Sequence, residues 1–295
     1  MLRAKMAVFW SLRSRAVEGD FLGGMIMYET FFGLSESPFN VTPDPRFVYL
    51  SKHHQAALSA MLYGVERRSG FIQITGEIGA GKTTLSRMFL QQLGENVHSS
   101  LVFNPKLSEL ELLQGIVEDF GLKPKARRRK EYFDCLNRFL IEESAKGFNA
   151  VVIIDEAQLL PPRALEQIRL LSNLETTTQK LLQIILMGQP ELKDLLKRPD
   201  LKQLRQRITL RCHLPELSFE ETGFYIAHRL NVAGASENFF TPEAMQRIYE
   251  ISLGIPRVIN MLADRALLAA FAKNTFVVDP VLVECAEADL QGVSV

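Results

Sequence analysis

The stretch GEIGAGKT, Gly76 to Thr83, restricts this chain more than any other. It fits G-x-x-x-x-G-K-[ST], a loop whose backbone N–H groups turn inward on phosphates. The residues on either side agree with that reading. GFIQITG is a short apolar run, read as a buried strand, and KTTLSRMFLQQLG has helical periodicity with a glycine stop. A strand, a glycine loop and a helix in that order present a helix N-terminus to an anion, adding its dipole to the loop's amides. Gly76, Glu77, Ile78, Gly79, Ala80, Gly81, Lys82, Thr83 and Thr84 are therefore the expected nucleotide-binding residues. Lys82 is expected to bridge the β- and γ-phosphates of ATP, and Thr83 to hold Mg²⁺.

The alternation continues downstream. VHSSLVFNP, NAVVIID, KLLQIILMG and ITLRCHLP read as four further strands, with helical patterns between them. ELKDLLKRPDLKQLRQR reads as one basic helical stretch leading into the last strand. Such alternation predicts an α/β fold, a five-stranded, mostly parallel sheet sandwiched by helices. After Pro215 it stops. SFEETGFYIAHRLNVAG opens with a capping box and TPEAMQRIYEISLG with a cap and a first-turn proline, and two more helical patterns follow. The expected division is an α/β nucleotide-binding domain over 27–216 and a helical lid domain over 217–295. Residues 1–26 read as a disordered extension or a mis-called start, because Met27 directly precedes the patterned sequence.

Composition narrows the surroundings. Formal net charge is zero over 295 residues, so any preference for nucleic acid or membrane has to come from local patches. The three cysteines, Cys135, Cys212 and Cys285, have no metal-ligand spacing and read as thiols in a reducing compartment. The apolar run from Met6 to Leu12 is far too short to span a bilayer, and VINMLADRALLAAFA carries Asp264 and Arg265 in its middle. The reading is a cytoplasmic chain with no transmembrane segment.

VVIIDEAQLL supplies the second half of a site. Four apolar residues deliver Asp155 to the C-terminal end of a strand, where ligands bind in open α/β sheets. Asp155 is expected to hold Mg²⁺, mainly through water, and Glu156 to polarise the attacking water. This pair disfavours a small-molecule kinase, which has to exclude water rather than activate it. Gln189, in GQPEL, ends another strand, where it either reaches the γ-phosphate or lytic water or simply closes a turn. Arg205, Arg207 and Arg211 are either solvated helix charges or arginines offered across a subunit boundary. Arg257, in GIPR, sits at a helix start, where the dipole disfavours a cation unless an anion is near. KPKARRRK, Lys123 to Lys130, has six positive charges in eight residues. It reads as a solvated loop before a phosphate footprint, since aromatics do not interleave it, although Tyr132 and Phe133 follow closely.

In this order, the phosphate loop, IIDEAQ, GQPEL, LRQRI and GIPR resemble the AAA+ ATPases. More narrowly, the chain resembles those of the ExeA/GspA type, associated with general secretion and other envelope-assembly loci. MYETFFGLSESPFNVTPDPRFVYLSKHHQAALSAMLYGVERRSGF is similar to that family's opening. The resemblance covers roughly Met27 to Leu290. It implies an Mg²⁺-dependent ATPase with Gln189 as sensor 1, Arg257 as sensor 2, and Arg207, with Arg205 second, as an arginine finger. It places the segment around Phe47 and Tyr49 near the adenine. It further implies a homo-oligomer and a protein partner in a secretion or envelope assembly, in the cytoplasm or peripheral to the inner membrane. Members of the secretion branch often continue into a membrane span and a peptidoglycan-binding domain. Neither occurs in these residues, so the ATPase module alone is expected. The competing reading is a DNA-associated AAA+ regulator of transposition or initiator type, supported mainly by Lys123–Lys130. A nucleotide-bound interaction module with negligible turnover is a third.

Overall fold

The computed structural model describes residues 28–40, 44–103, 108–124, 128–177 and 179–292. Residues 1–26, and Lys125, Ala126 and Arg127 within the basic run, lie outside them. The chain forms two compact units, one of residues 50–216 and the other of the N-terminal segment through Tyr49 together with the residues from Leu217 onward.

In the first unit, five parallel strands lie in the order β2-β3-β4-β1-β5, where β1 is Phe71–Gly76, β2 Val97–Val102, β3 Asn149–Ile154, β4 Gln183–Gly188 and β5 Ile208–Leu214. Strands buried on both faces need apolar residues at successive positions, which is why β3 and β4 read as unbroken apolar runs. The pleat then sends neighbours to opposite sides. Val152, Ile154, Ile184 and Leu186 pack with the helices Glu109–Asp119, Arg129–Ala145 and Pro162–Leu171. Val151, Ile153, Ile185 and Met187 pack with the helices Lys52–Glu66 and Lys82–Gln92. A fully buried aliphatic side chain contributes about 1.5–3 kcal/mol, so these two layers fix the register of the sheet. Because all strands run the same way, the C-terminal ends of β1, β3 and β4 emerge on one edge.

The basic stretch after β4 is not one helix. It breaks into Glu191–Lys197 and Lys202–Arg207 around a 3-10 turn, Pro199–Leu201. Proline disfavours helical backbone at the residue before it, and Arg198 is extended, with ψ of 142°.

The second unit contains the helices Phe219–Val232, Pro242–Ser252, Pro256–Ala272 and Pro280–Leu290. The capping box at Ser218 forms, Glu221 N donating to Ser218 Oγ at 3.1 Å and Ser218 N to Glu221 Oε2 at 3.0 Å. The structure departs from the expected division at its other end. Residues 28–40 and 44–49 belong with these helices, because their aromatic residues complete the helical core. Phe32, Phe39 and Phe47 are buried there. Arg229, itself buried, donates to Pro38 O at 2.5 Å and Asn40 O at 3.0 Å, and its guanidinium lies 4.9 Å from the Phe47 ring centroid. Tyr49 lies against the rings of Tyr225 and His228. Among the described residues, no helix is long and apolar enough to cross a membrane.

Candidate functional site

The loop after β1 is shaped by its glycines. Gly79 and Gly81 take left-handed backbone, φ 83° and 90°, which side chains rarely adopt. A Cβ on Gly76 would lie 2.8 Å from Leu214 O, so the loop's first residue has to be bare for β5 to approach. The helix Lys82–Gln92 then starts with Gly81 as its cap and no side-chain capping bond, leaving its first amides facing outward. Lys82 is 5% exposed, and its Nζ donates to Gly76 O at 2.7 Å and Glu77 O at 2.9 Å. Burial lowers its pKa, while the charges of Glu156 and Asp155 oppose that shift. The ammonium is therefore held against the loop's own carbonyls, within electrostatic reach of Glu156 and Asp155.

Those carboxylates are divided between two jobs. Asp155, 2% exposed, accepts from Thr83 Oγ1 through Oδ2 at 2.6 Å and from the Glu156 N–H through Oδ1 at 2.9 Å. Two residues 72 positions apart are thus brought together as a pair of hard oxygen donors. No group of three or more His, Cys, Asp or Glu side chains able to hold a metal occurs among the described residues. Mg²⁺ suits a hydroxyl and one carboxylate, since it keeps several waters and takes substrate phosphates for the rest. Thr83 and Asp155 fit that donor set.

Glu156 adopts left-handed backbone with φ 53°, an unfavourable conformation for a residue with a side chain. Its Oε2 accepts from Gln158 Nε2 at 2.6 Å and from Gln189 Nε2 at 3.2 Å. Gln158 Oε1 in turn accepts from the Gln189 backbone N–H at 3.1 Å. The end of β4 is therefore tied to the end of β3 through one carboxylate and one amide. Gln189, which the sequence leaves open between a turn and a contact, faces Glu156. Gln158 stands inside the IIDEAQ motif but carries no signal of its own. Gly188 fits the same arrangement, since a Cβ there would lie 2.6 Å from Gln158 Oε1.

His54 is a second residue that sequence reasoning missed. It is buried in the helix Lys52–Glu66, and its Nε2 lies 3.0 Å from the carbonyl oxygen of Ala80 inside the phosphate loop. A carbonyl only accepts, so Nε2 carries the hydrogen, and Nδ1 is left to meet the Ser51 hydroxyl at 2.7 Å. A Cβ on Gly81 would lie 3.3 Å from His54 Nε2, a second reason for glycine there. The only hint in the sequence is a serine cap ahead of two histidines.

The arginines are elsewhere. Arg207 precedes β5, whose first residue, Ile208, pairs with Phe71 at the start of β1, whereas Leu214 pairs with Gly76. Arg207 and Arg205 therefore lie at the end of the sheet away from the phosphate loop. Arg207 donates through Nη1 to Arg169 O at 3.2 Å and to Ser172 Oγ, and Arg205 O accepts from Arg211 Nη2 at 2.7 Å. Arg257 is exposed in the first turn of Pro256–Ala272 in the other unit. There the backbone is set by Gly254, φ 78°, whose Cβ would come within 2.0 Å of Leu217 O.

Sheet order, phosphate loop and the acidic pair ending β3 define a P-loop domain of the AAA class. The family described as AAA domain matches residues 65–196. Solved structures with the same fold include the ORC2 protein of Aeropyrum pernix, with TM-score 0.66 and 18% identity, covering 88% of this chain and 73% of that one. The Holliday junction branch migration motor RuvB of Thermotoga maritima aligns with TM-score 0.55 and 16% identity, covering 82% of this chain and 70% of that one. General secretion pathway protein A of Aeromonas hydrophila is 48% identical over 250 residues, 84% of this chain. Within the AAA class, the chain belongs with the ExeA/GspA type. It spans 46% of that relative's length.

Proposed function

We propose that this chain binds ATP with Mg²⁺ and hydrolyses it to ADP and phosphate. The observation that carries the proposal is the joining of Thr83 to Asp155 at 2.6 Å beside a Glu156 held by Gln158 and Gln189. The loop amides and Lys82 bind and orient the β- and γ-phosphates. Thr83 and Asp155 are the residues that hold Mg²⁺, which supplies charge neutralisation on the phosphate oxygens when bound. Glu156 aligns a water and takes up its proton as the water oxygen bonds to the γ-phosphorus and the bond to the β–γ bridging oxygen breaks. Gln189 steadies the Glu156 carboxylate or the water. Arg257 serves as the sensor on the helical lid.

The finger arginine acts across a subunit boundary. Its placement at the far end of β5 supports this, because Arg207 and Arg205 are remote from their own chain's loop along the strand. The active form is then a homo-oligomer with shared sites. The relative's name, General secretion pathway protein A, supports work on an envelope or secretion assembly, in the cytoplasm or peripheral to the inner membrane.

Purified protein should release phosphate from ATP. Lys82→Ala should abolish nucleotide binding, and Glu156→Gln should bind without turnover. Normal hydrolysis by Glu156→Gln would overturn the assignment of Glu156.

A further inference from the structure

Between the helices Arg129–Ala145 and Pro162–Leu171 lies a pocket of about 270 Å³, lined by Arg129, Lys130, Phe133, Gln167, Leu170 and Asn173. It takes no part in the site above. Its construction is layered. Arg129, Lys130 and Asn173 are exposed at the rim, and Phe133 and Leu170 form a half-buried apolar wall. Gln167 is only 3% exposed, and its Oε1 is buried with no hydrogen-bond partner.

A buried amide oxygen left unpaired is costly, and proteins keep such groups rarely. Leucine would serve a structural role at that point better. A ligand whose entry turns the Gln167 amide into the pocket and brings an N–H to Oε1 accounts for its presence. The wall asks for a flat or apolar body, and the rim for an anion. Arg129 already pairs with Glu109 at 3.0 Å, but both partners are substantially exposed, and such pairs have small net worth and yield readily to a phosphate. The volume is below the roughly 300–1,000 Å³ of sites for drug-sized ligands, so one base with its sugar fits better than a whole cofactor.

We propose that this pocket takes an unpaired base of a single-stranded nucleic acid. Phe133 offers a stacking face, Gln167 accepts from the base's exocyclic amine, and Lys130 and Arg129 meet the flanking phosphates. A side-chain amide is the group that pairs with the donor–acceptor edge of adenine. Stacking on an aromatic beside a cationic groove is how single strands are held without strict sequence preference. Lys130 and Arg129 also end the run of six cations in eight residues from Lys123. That run lacks aromatics in sequence, but the fold sets Phe133 directly against its end. The proposal is independent of nucleotide hydrolysis.

The test is fluorescence anisotropy of a labelled oligo(dA) of about sixteen nucleotides, the upper end of a single-domain site. The same sequence as duplex and a labelled glutamate-rich peptide containing phenylalanine serve as the other two probes. Wild-type protein should bind the single strand in preference to both. Phe133→Leu, which keeps an apolar wall, should weaken binding at least about five-fold, as should Gln167→Leu. Lys130→Gln should reduce the salt slope by about one. Melting curves check folding, and Gln167→Leu should be as stable as wild type or more so. Equal binding of duplex and single strand would overturn the proposal. So would wild-type affinity in both Phe133→Leu and Gln167→Leu, or binding of the acidic peptide alone.

Discussion

His54 offers a test of how the phosphate loop is held in shape. The perturbation is His54→Ala. It removes the N–H that meets the Ala80 carbonyl at 3.0 Å and leaves that carbonyl buried without this donor. The loss of one partner from a buried pair costs about 1–3 kcal/mol. If the cost falls on the loop conformation that receives phosphate, it converts at about 1.4 kcal/mol per decade into roughly 5- to 150-fold weaker nucleotide affinity. His54→Gln retains an N–H donor on a side chain of similar reach and should recover most of the loss. The assay is titration with a fluorescent ATP analogue for the three proteins, with thermal melting alongside. Wild-type affinity in His54→Ala together with a lowered Tm would refute the reasoning and reduce His54 to core packing. Equal affinities for the Ala and Gln variants would refute it as well, since the donor would then be irrelevant.

Three other outcomes follow from particular contacts. Gly254→Ala should destabilise the helical unit by about 2–4 kcal/mol, read as a lower urea midpoint, because φ is 78° and the new Cβ would meet Leu217 O at 2.0 Å. Burial and the neighbouring Arg229 charge lower the pKa of His228, outweighing backbone hydrogen bonds to Val48 and Arg46 that raise it. The unfolded chain therefore takes the proton first, so stability should fall as pH drops below about 6.5 and level off only once folded His228 is protonated, and His228→Gln should flatten that loss in urea melts. Arg207→Ala should lose turnover while keeping ATP binding, and mixing it with Lys82→Ala should restore part of the turnover through mixed sites; no recovery at any ratio would refute action across a boundary.

The layered α/β fold was legible because its signals are local. Four successive apolar residues before Asp155, too short a run for a helix of ordinary length, match a strand buried on both faces, and Gly-Lys-Thr after the similar run at Phe71 leaves few alternatives. Thr83 and Asp155 were legible for the same reason, each sitting in a motif that names its partner chemistry. What escaped depends on proximity that no window of sequence contains. His54 reaches Ala80 across 26 positions, and Gln158 acquires its place only because β4 lies beside β3. The residues before Leu50 read as the opening of the α/β domain because they precede it. The packing of Phe32, Phe39 and Phe47 is decided by where an aromatic surface finds cover, and that cover is encoded from Leu217 onward. The helix break at Arg198–Pro199 has a local signal in the proline, but basic helical periodicity continues on both sides of it.

The second unit is assembled from both ends of the chain, and this sets an order of events at the ribosome. The sheet unit is one uninterrupted stretch and can close on itself as soon as β5 has emerged. The aromatic segment before it cannot, since about 170 residues separate Tyr49 from the first helix that will cover it. At about 5–20 residues per second, Phe32, Phe39 and Phe47 stay uncovered for roughly ten seconds or longer during synthesis. A fragment beginning at Leu50 would remove the exposed aromatic segment but would leave the helical unit without part of its own interior.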